Sequence, residues 1–556
     1  MRGLLAVLFV ASALVAGCSS PASHAPAAIP APTPNPNWAE KVIFGDANPE
    51  DTDFVADHDH TNRTAHQGRT TSNFETLGHD PLLSPYLKSS PGTTYCGDVG
   101  SEGARKLAVV HSFSTDVALT VVDVTDVRAP HKVGELVLPF EFTYDVAIFA
   151  DSRYAVLAGN PDLKVDAPPT AGMGAAGVPF HPVWRDACGN ERAMASTTSF
   201  IPYGYSAILV DLKDPANPVV ADFYEYPAGR NVHSISTALI DGTRYIATSG
   251  LMAVPCTLPS VSGNPVTNPV PCEPQVPRFG NALSHFDFLT VQESPDGSAH
   301  IVPYDLYTPL DQTHLDPSLL YLSNGHTDAT IEKHPITNDL LAYLADWDGG
   351  FHIVKLSGTG QVTPVSSWGA IPGGDPTQMK GHIHSVWPVP GLRDGKHLIV
   401  VGQEVVGRPE GRPSGQVAIL DVSNPGVPIP VAKWTLPVDV QWGPSQGELF
   451  STHYPILVND TLFVSMYHGG VWAADFGAVR HGTPDMPSVG AFVPAEAPAG
   501  EAYKGGPTPE VLEVLTLGGQ DLLVFDGQSG AYTVRWHGAS ADVPPAAPWP
   551  NNPWIG

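Results

Sequence analysis

The sequence predicts an all-β fold, a single seven-bladed β-propeller, and three observations lead to that prediction. Between about residue 70 and residue 538, short β-rich runs alternate with turns rich in Gly, Pro, Asn and Asp, a pattern typical of sandwiches, barrels and propellers. Three segments of this region repeat one another closely, and a second pattern recurs seven times. The two ends of the region also carry strands that are suited to close a ring.

The closest repeats share one strand–turn–strand frame. Each has an alternating strand that ends in Asp, a turn that contains Pro, and a second strand. The Asp is suited to accept hydrogen bonds from turn amides, and the Pro presets a turn dihedral. The three copies are residues 119–136, 207–224 and 417–434, with turn aspartates Asp123, Asp211 and Asp421.

These copies resemble the LVIVD repeat, in which Leu-Val-Ile-Val-Asp is followed by a turn similar to Ser-Asp-Pro-x-x-Pro. The resemblance covers most of the chain after residue 70. It implies the β-propeller expected for the exported proteins that carry this repeat. It does not imply one function, because propellers host many unrelated activities.

The number of blades follows from a strand pair that recurs along the chain. The pairs begin near residues 98, 145, 233, 328, 384, 453 and 510, and insertions around 160–203 and 251–283 explain the uneven spacing. The last unit shows only three strands, and residues 73–80 are placed to supply its fourth. Pairing the first strand with the last would remove the open sheet edges that invite aggregation.

The N-terminal residues predict export. Arg2 precedes a run of apolar and small residues that is too short to span a membrane, and this run ends in a segment, Leu14 to Cys18, that resembles the bacterial lipobox. The resemblance implies that Cys18 is acylated after cleavage. We therefore expect a bacterial cell-envelope protein, at the outer membrane or cell surface, with the lipid as its membrane contact. Its predicted parts are a signal peptide (1–17), a lipidated cysteine with a flexible Pro/Ala-rich tether (18–70), the propeller (71–540) and a Pro-rich tail (541–556).

Charge and cysteine content narrow the classes of partner and cross-link. The formal net charge of −28 argues against nucleic acid or an anionic membrane surface as a partner, since both require a basic face.

In an oxidising compartment, the four cysteines after Cys18 allow three disulfide pairings. A local bridge between Cys256 and Cys272 is favoured, which leaves Cys96 with Cys188.

Candidate chemistry lies in one column of the aligned units. At the start of its innermost strand, each unit carries a residue type that binds metals or moves protons: Asp98, Asp145, His233, Asp328, His384, His453 and Glu510. The second strand of each unit runs back to the same face, and its last residues include His111, Asp346, Glu404, Tyr467 and Asp526. Because innermost strands line the channel of a propeller, these side chains are predicted to gather at one mouth.

Mixed imidazole and carboxylate ligands suit zinc, copper, iron or manganese. The predicted metal ligands are His233, Asp328, Asp346, His384, Glu404 and His453. A purely structural explanation stays open at this point, because polar residues at strand starts also bond to the backbone of loops.

Two functions are consistent with these patterns. The first is an exported, lipid-anchored binding or scaffold protein with a metal site at the channel mouth and an unidentified small-molecule or protein ligand. The second is a metal-dependent oxidoreductase or hydrolase of the cell envelope, in which the metal polarises substrate or activates water or oxygen. Scattered histidines and Gln403-Glu404 are similar to features of the selenium-binding, methanethiol-oxidising propellers, which are seven-bladed and metal-dependent.

Overall fold

Seven four-stranded antiparallel sheets form a ring in the computed structural model, which confirms the predicted seven-bladed β-propeller. Within the part of the chain that is described, no helix combines the length and the apolar character that a membrane span requires. The structure describes residues 70–84, 93–113, 117–137, 140–161, 183–185, 191–193, 206–226, 232–253, 282–308, 328–347, 349–358, 360–369, 383–404, 415–435, 451–467, 469–481, 485–494, 510–527 and 529–538.

The strands are numbered in chain order, and within blades 1 to 6 they run from the axis outward. Strand β1 (Phe74–Asp80) comes first in the chain and belongs to blade 7. Blade 1 contains β2 (Thr93–Glu102), β3 (Arg105–Phe113), β4 (Val117–Asp123) and β5 (His131–Val137). Blade 2 contains β6 (Phe140–Ile148), β7 (Tyr154–Pro161), β10 (Ser206–Asp211) and β11 (Val219–Glu225). Blade 3 contains β12 (Ser234–Ile240), β13 (Thr243–Ala253), β14 (Ala282–Glu293) and β15 (Ala299–Tyr307). A separate hairpin, β8 (Val183–Arg185) and β9 (Glu191–Ala193), lies in the insertion of blade 2.

The remaining blades follow the same order. Blade 4 contains β16 (Ala329–Lys333), β17 (Leu340–Asp346), β18 (Gly350–Leu356) and β19 (Val362–Trp368). Blade 5 contains β20 (Ile383–Pro388), β21 (Leu398–Gln403), β22 (Gln416–Asp421) and β23 (Ile429–Thr435). Blade 6 contains β24 (Pro455–Val458), β25 (Thr461–Ser465), β26 (Val471–Asp475) and β27 (Ser488–Phe492). Blade 7 contains β28 (Val511–Gly518), β29 (Asp521–Asp526), β30 (Gly530–Trp536) and, outermost, β1.

The apolar core lies between the blades rather than at the centre of the ring. Each pair of neighbouring blades shares one cluster of buried side chains, drawn from the facing sides of two sheets. Trp472, for example, packs between blades 5 and 6. Alternating strands place every second side chain in such a layer, which is the burial that stabilises packed sheets. The axis is therefore left to polar groups of the innermost strands.

The ring closes as the sequence predicts. Strand β1 pairs with β30 in antiparallel register, with Phe74 opposite Trp536 and Asp80 opposite Ala531. Phe74 is buried against the rings of Phe463, Phe492 and Trp536. The first described strand of the chain thus completes the last blade, and the outer edge of β30 is paired.

The predicted role of the repeat aspartates is also confirmed. Asp123, Asp211 and Asp421 each end the third strand of a blade and accept a hydrogen bond from the backbone N–H two residues later, at 2.9, 2.7 and 3.0 Å. The structure adds one feature, since a cation at or just before the start of the preceding strand pairs with each carboxylate. These cations are Arg105, Arg153 and Lys396.

Replacing one of these aspartates is expected to weaken the fold in a pH-dependent manner. Asp421 accepts hydrogen bonds from the Ser423 amide (3.0 Å) and hydroxyl (2.6 Å), so Asp421→Ala is expected to lower the free energy of unfolding by about 1–2 kcal/mol at pH 7. Burial opposes ionisation, but the bonds from Ser423 and the ion pair with Lys396 outweigh it and lower the pKa of Asp421 below its ordinary value of 3.8. The stabilisation is therefore complete above pH 3.8 and is lost as the pH falls through the lowered value.

Urea denaturation of wild type and Asp421→Ala between pH 7 and pH 3 measures this difference. The exposed Glu225, at the end of β11, supplies the control Glu225→Ala, which should change stability little at either pH. If the stability loss in Asp421→Ala stayed constant down to pH 3, the stabilisation would not come from the ionised carboxylate of Asp421.

Several sequence predictions fall on residues that the structure does not describe. They are the signal peptide, Cys18, the tether up to residue 69, the tail from residue 541, and the cysteines Cys188, Cys256 and Cys272. Cys96 is described, and it is a free, buried thiol. The structure therefore does not support the predicted Cys96–Cys188 disulfide, since Cys96 lies on the innermost strand of blade 1 and packs against Tyr467 and Leu512.

Candidate metal centre

The innermost strands place a set of polar side chains around the axis, and β-bulges adjust their direction. The register between β20 and β21 slips between Ile383 and Ser385, so His384 is the extra residue of a bulge. Similar slips lie between Thr94 and Gly97 in blade 1 and next to Leu512 in blade 7. A bulge interrupts the strict in–out alternation of a strand and re-aims a side chain, and bulges are frequent beside functional sites.

Three of the six predicted ligands converge in one cluster, which we call the axial cluster: His384, Glu404 and His453. All three are buried, and one donor atom from each lies within 4.8 Å of the other two. His384 belongs to β20, Glu404 directly follows β21 in the same blade, and His453 comes just before β24 of the next blade. The cluster thus bridges blades 5 and 6.

The distances in the axial cluster suit a metal ion. Nε2 of His384 lies 3.4 Å from Oε2 of Glu404, and Nε2 of His453 lies 4.0 Å from Oε1. Ligand atoms bound tetrahedrally at about 2.1 Å from zinc lie about 3.4 Å from one another. The donors are therefore spaced nearly as a bound ion would require, and small rotations of the Glu404 carboxylate would complete the fit.

The hydrogen bonds of His453 prepare it to act as a ligand. Its Nδ1 donates to the backbone carbonyl of Leu512 at 2.7 Å, which leaves the lone pair on Nε2 facing the cluster. Burial lowers the pKa of His453 well below its ordinary value, and the charge of His384 lowers it further. A neutral imidazole whose far nitrogen is held by a carbonyl is the form in which histidine binds metals.

His384 lacks such an outer partner. Its Nδ1 is buried and has no hydrogen-bond partner among the residues that the structure describes. Its ring lies 4.5 Å from that of His453, centroid to centroid, and makes edge contacts with Trp347 and Tyr454. A buried ring nitrogen without a hydrogen-bond partner is costly, whereas the other nitrogen of the ring, Nε2, faces Glu404.

Tyr467 orients the carboxylate of the cluster. Its hydroxyl donates a hydrogen bond to Oε1 of Glu404, and burial together with the Glu404 charge raises the pKa of Tyr467 well above 10, so the hydroxyl keeps its proton. The backbone of Tyr467 is in the left-handed region, with φ of +50°, and its amide and carbonyl pair with Val511. Such a conformation is unfavourable for a bulky residue and is maintained where the surrounding structure requires it.

The aspartates of the predicted column serve a structural purpose. Asp98, Asp145 and Asp328 each accept a hydrogen bond from the next amide of their own strand and a second from the innermost strand of the following blade. The second donors are the amides of Ile148, Ile235 and Val386, at 3.0, 2.9 and 3.2 Å. The three aspartates of the column thus join neighbouring blades, whereas two of its histidines, His384 and His453, enter the axial cluster.

Two further predicted ligands lie outside the axial cluster. Asp346 accepts a hydrogen bond from the Ser284 hydroxyl at 2.5 Å and lies 3.5 Å from Nε2 of His352, so it links blades 3 and 4. His233 is half-buried, and its Nδ1 lies 3.1 Å from the Ser234 hydroxyl. Asp328 lies next to the axial cluster, because its backbone amide donates a hydrogen bond to the backbone carbonyl of His384.

The axis is strongly acidic. Burial raises the pKa of Asp328 to about 6 and raises the pKa values of Asp145 and Glu513 well above those of exposed carboxyl groups. The neighbouring carboxylates contribute to the shifts of Asp145 and Glu513, since Asp98 and Asp328 act on both. Like charges gathered in a buried region favour the binding of a cation, which relieves their repulsion.

Sequence reasoning missed three groups at the axis. Glu513 accepts a hydrogen bond from the amide of Gly97 and links blade 7 to blade 1, whereas the predicted column named Glu510. Tyr454 contacts both histidines of the axial cluster. Cys96 was assigned to a disulfide, although its position two residues before Asp98 already placed it on an innermost strand.

No protein-family model matches this chain, and no curated protein is significantly similar to it.

Proposed function

We propose that this chain is an exported, lipid-anchored binding propeller of the LVIVD-repeat type, and that it holds a divalent transition-metal ion in the axial cluster. The observation that carries the proposal is the convergence of His384, Glu404 and His453, all buried and with donor atoms within 4.8 Å. Two imidazoles and one carboxylate are a ligand set suited to zinc or iron(II), with copper and manganese as further candidates. The lipobox and the tether support a location in the bacterial cell envelope.

The same ligand set supports a second function, a metal-dependent hydrolase or oxidoreductase. Three protein ligands leave at least one coordination position for water or substrate, as in catalytic zinc sites. The hydroxyl of Tyr467, hydrogen-bonded to Glu404, would orient this carboxylate and could supply a hydrogen bond to a nearby ligand. An activity that appears with the metal and disappears with the ligands would favour the enzyme over the binding protein.

Glu404→Gln tests the proposed site with little change of shape. The amide keeps an oxygen that can accept the Tyr467 hydrogen bond, but it removes the negative charge and one strong ligand. Since even residues that only support a ligand contribute about 10–100-fold to metal affinity, we expect a loss of at least that size. Titration of the metal-free full chain with Zn²⁺, followed by calorimetry, measures the affinity.

Glu75→Gln is the matched control, because Glu75 is exposed on β1 and pairs with His537 at 2.9 Å. It should bind Zn²⁺ as wild type does. Equal Zn²⁺ affinity in Glu404→Gln and wild type would overturn the proposed centre.

A further inference from the structure

A second group of metal-binding side chains lies between blades 1 and 2. Cys96, His111 and Asp145 are buried, and one donor atom from each lies within 4.8 Å of the other two. We call this group the thiol cluster. It shares no residue with the axial cluster, so each cluster can be tested separately and evidence against one is not evidence against the other.

The thiol cluster repeats the construction of the axial cluster. In each cluster the first residue lies on the innermost strand of a blade, and the second lies near the end of the second strand of that blade. The third belongs to the innermost-strand segment of the following blade, with Asp145 on β6 and His453 two residues before β24. Cys96, His111 and Asp145 in blades 1 and 2 thus correspond to His384, Glu404 and His453 in blades 5 and 6.

Local geometry holds two of these donors in place. The register between β2 and β3 slips between Thr94 and Gly97, so Cys96 lies within an irregular stretch of the strand. Asp145 is oriented by its bonds from the amides of Val146 (2.8 Å) and Ile235 (2.9 Å). Each carboxylate oxygen still has a second lone pair available to a ligand.

The donors differ from those of the axial cluster in one respect, the presence of sulfur. We propose that Cys96, His111 and Asp145 form a second metal site, which binds a thiophilic divalent ion such as Zn²⁺ through thiolate, imidazole and carboxylate. Soft thiolate ligands select zinc over harder ions such as magnesium or manganese. Binding replaces the thiol proton by the metal, and that proton is released to solvent.

Cobalt(II) is the probe that distinguishes the two sites, because a cobalt–thiolate bond gives an intense charge-transfer band in the near ultraviolet. The axial cluster has no sulfur and gives none. The parent is the full chain with Cys18, Cys188, Cys256 and Cys272 replaced by serine, so that Cys96 is its only thiol. This parent, reduced and metal-free, is titrated with Co²⁺ while absorbance and bound metal are recorded. We expect a thiolate band that saturates with one equivalent and a total of two bound ions.

Cys96→Ser should abolish the band and lower bound cobalt from two ions to one, while His384→Ala should keep the band. Serine is close in size to cysteine, so folding is retained, and the thermal unfolding of both variants is recorded as a check. A band that persists in Cys96→Ser, or its absence from the reduced parent, would overturn the thiol cluster. If the parent bound only the ion that gives the band, the axial cluster would be contradicted instead.

Discussion

The double substitution His384→Ala with His453→Ala is expected to remove the metal from the axial cluster and to leave the propeller folded. The two imidazoles are two of its three donors, so the remaining carboxylate of Glu404 cannot hold an ion in a buried position. Folding should persist because the apolar clusters lie between the blades. The carbonyl of Leu512, which loses its bond from His453, still accepts one from the Ser465 hydroxyl at 2.8 Å.

Two measurements check this expectation, and both are made in a Cys96→Ser background so that the thiol cluster does not contribute. Bound zinc per chain is determined by mass spectrometry after loading and dialysis, and it should fall from one ion to none. Thermal unfolding is recorded with and without Zn²⁺. An ion present at 100 times its dissociation constant stabilises the folded parent by about 2.7 kcal/mol, and the double variant should lack this gain.

His131→Ala is the control for nonspecific effects of losing a histidine, since His131 is exposed on β5. It should retain both the bound ion and the thermal gain. A double variant that bound zinc as its parent does would refute the axial cluster as a metal centre.

The second large effect is expected at the closure of the ring. Phe74 of β1 is buried between blades 6 and 7, with its ring centroid 4.7 Å from Trp536, 6.1 Å from Phe492 and 6.2 Å from Phe463. Phe74→Ala removes these contacts and leaves a cavity. Substitutions of this kind lower the free energy of unfolding by about 3–5 kcal/mol.

Urea denaturation gives the stability of Phe74→Ala, and Glu75→Ala serves as the neighbouring control. Glu75 is exposed, and its surface ion pair with His537 is worth at most about 1 kcal/mol. If Phe74→Ala were no less stable than Glu75→Ala, β1 would not be the strand that closes the ring. A large loss in Phe74→Ala alone would show that the closing strand carries much of the stability.

The fold was largely predictable because its signals are local. Each blade begins near the start of the recurring strand pair, and the last blade contains the three strands that the sequence predicts for it, β28, β29 and β30. The repeat aspartates bond to turn amides within two residues, so their role could be inferred from the repeat itself. The closing strand was predictable because a blade with three strands needs a fourth.

The candidate site was predictable only in part. The sequence predicted six ligands at one mouth of the ring. The structure brings His384, Glu404 and His453 together, whereas Asp328 and Asp346 make hydrogen bonds within and between blades. Cys96 was read as half of a disulfide because an even cysteine count in an exported protein favours that interpretation. Its neighbours His111 and Asp145 come from other strands, and nothing in the local sequence links them to Cys96.

By itself, the sequence determined an all-β ring of seven units, the strand that closes it, and the residue types that face its axis. These depend on alternation, turn residues and repeats, which act over a few residues. Only the tertiary structure decided which of the axial groups meet. The reason is geometric, because a bulge of one residue turns a side chain from one direction to another, and donors from different blades approach only when the ring has closed.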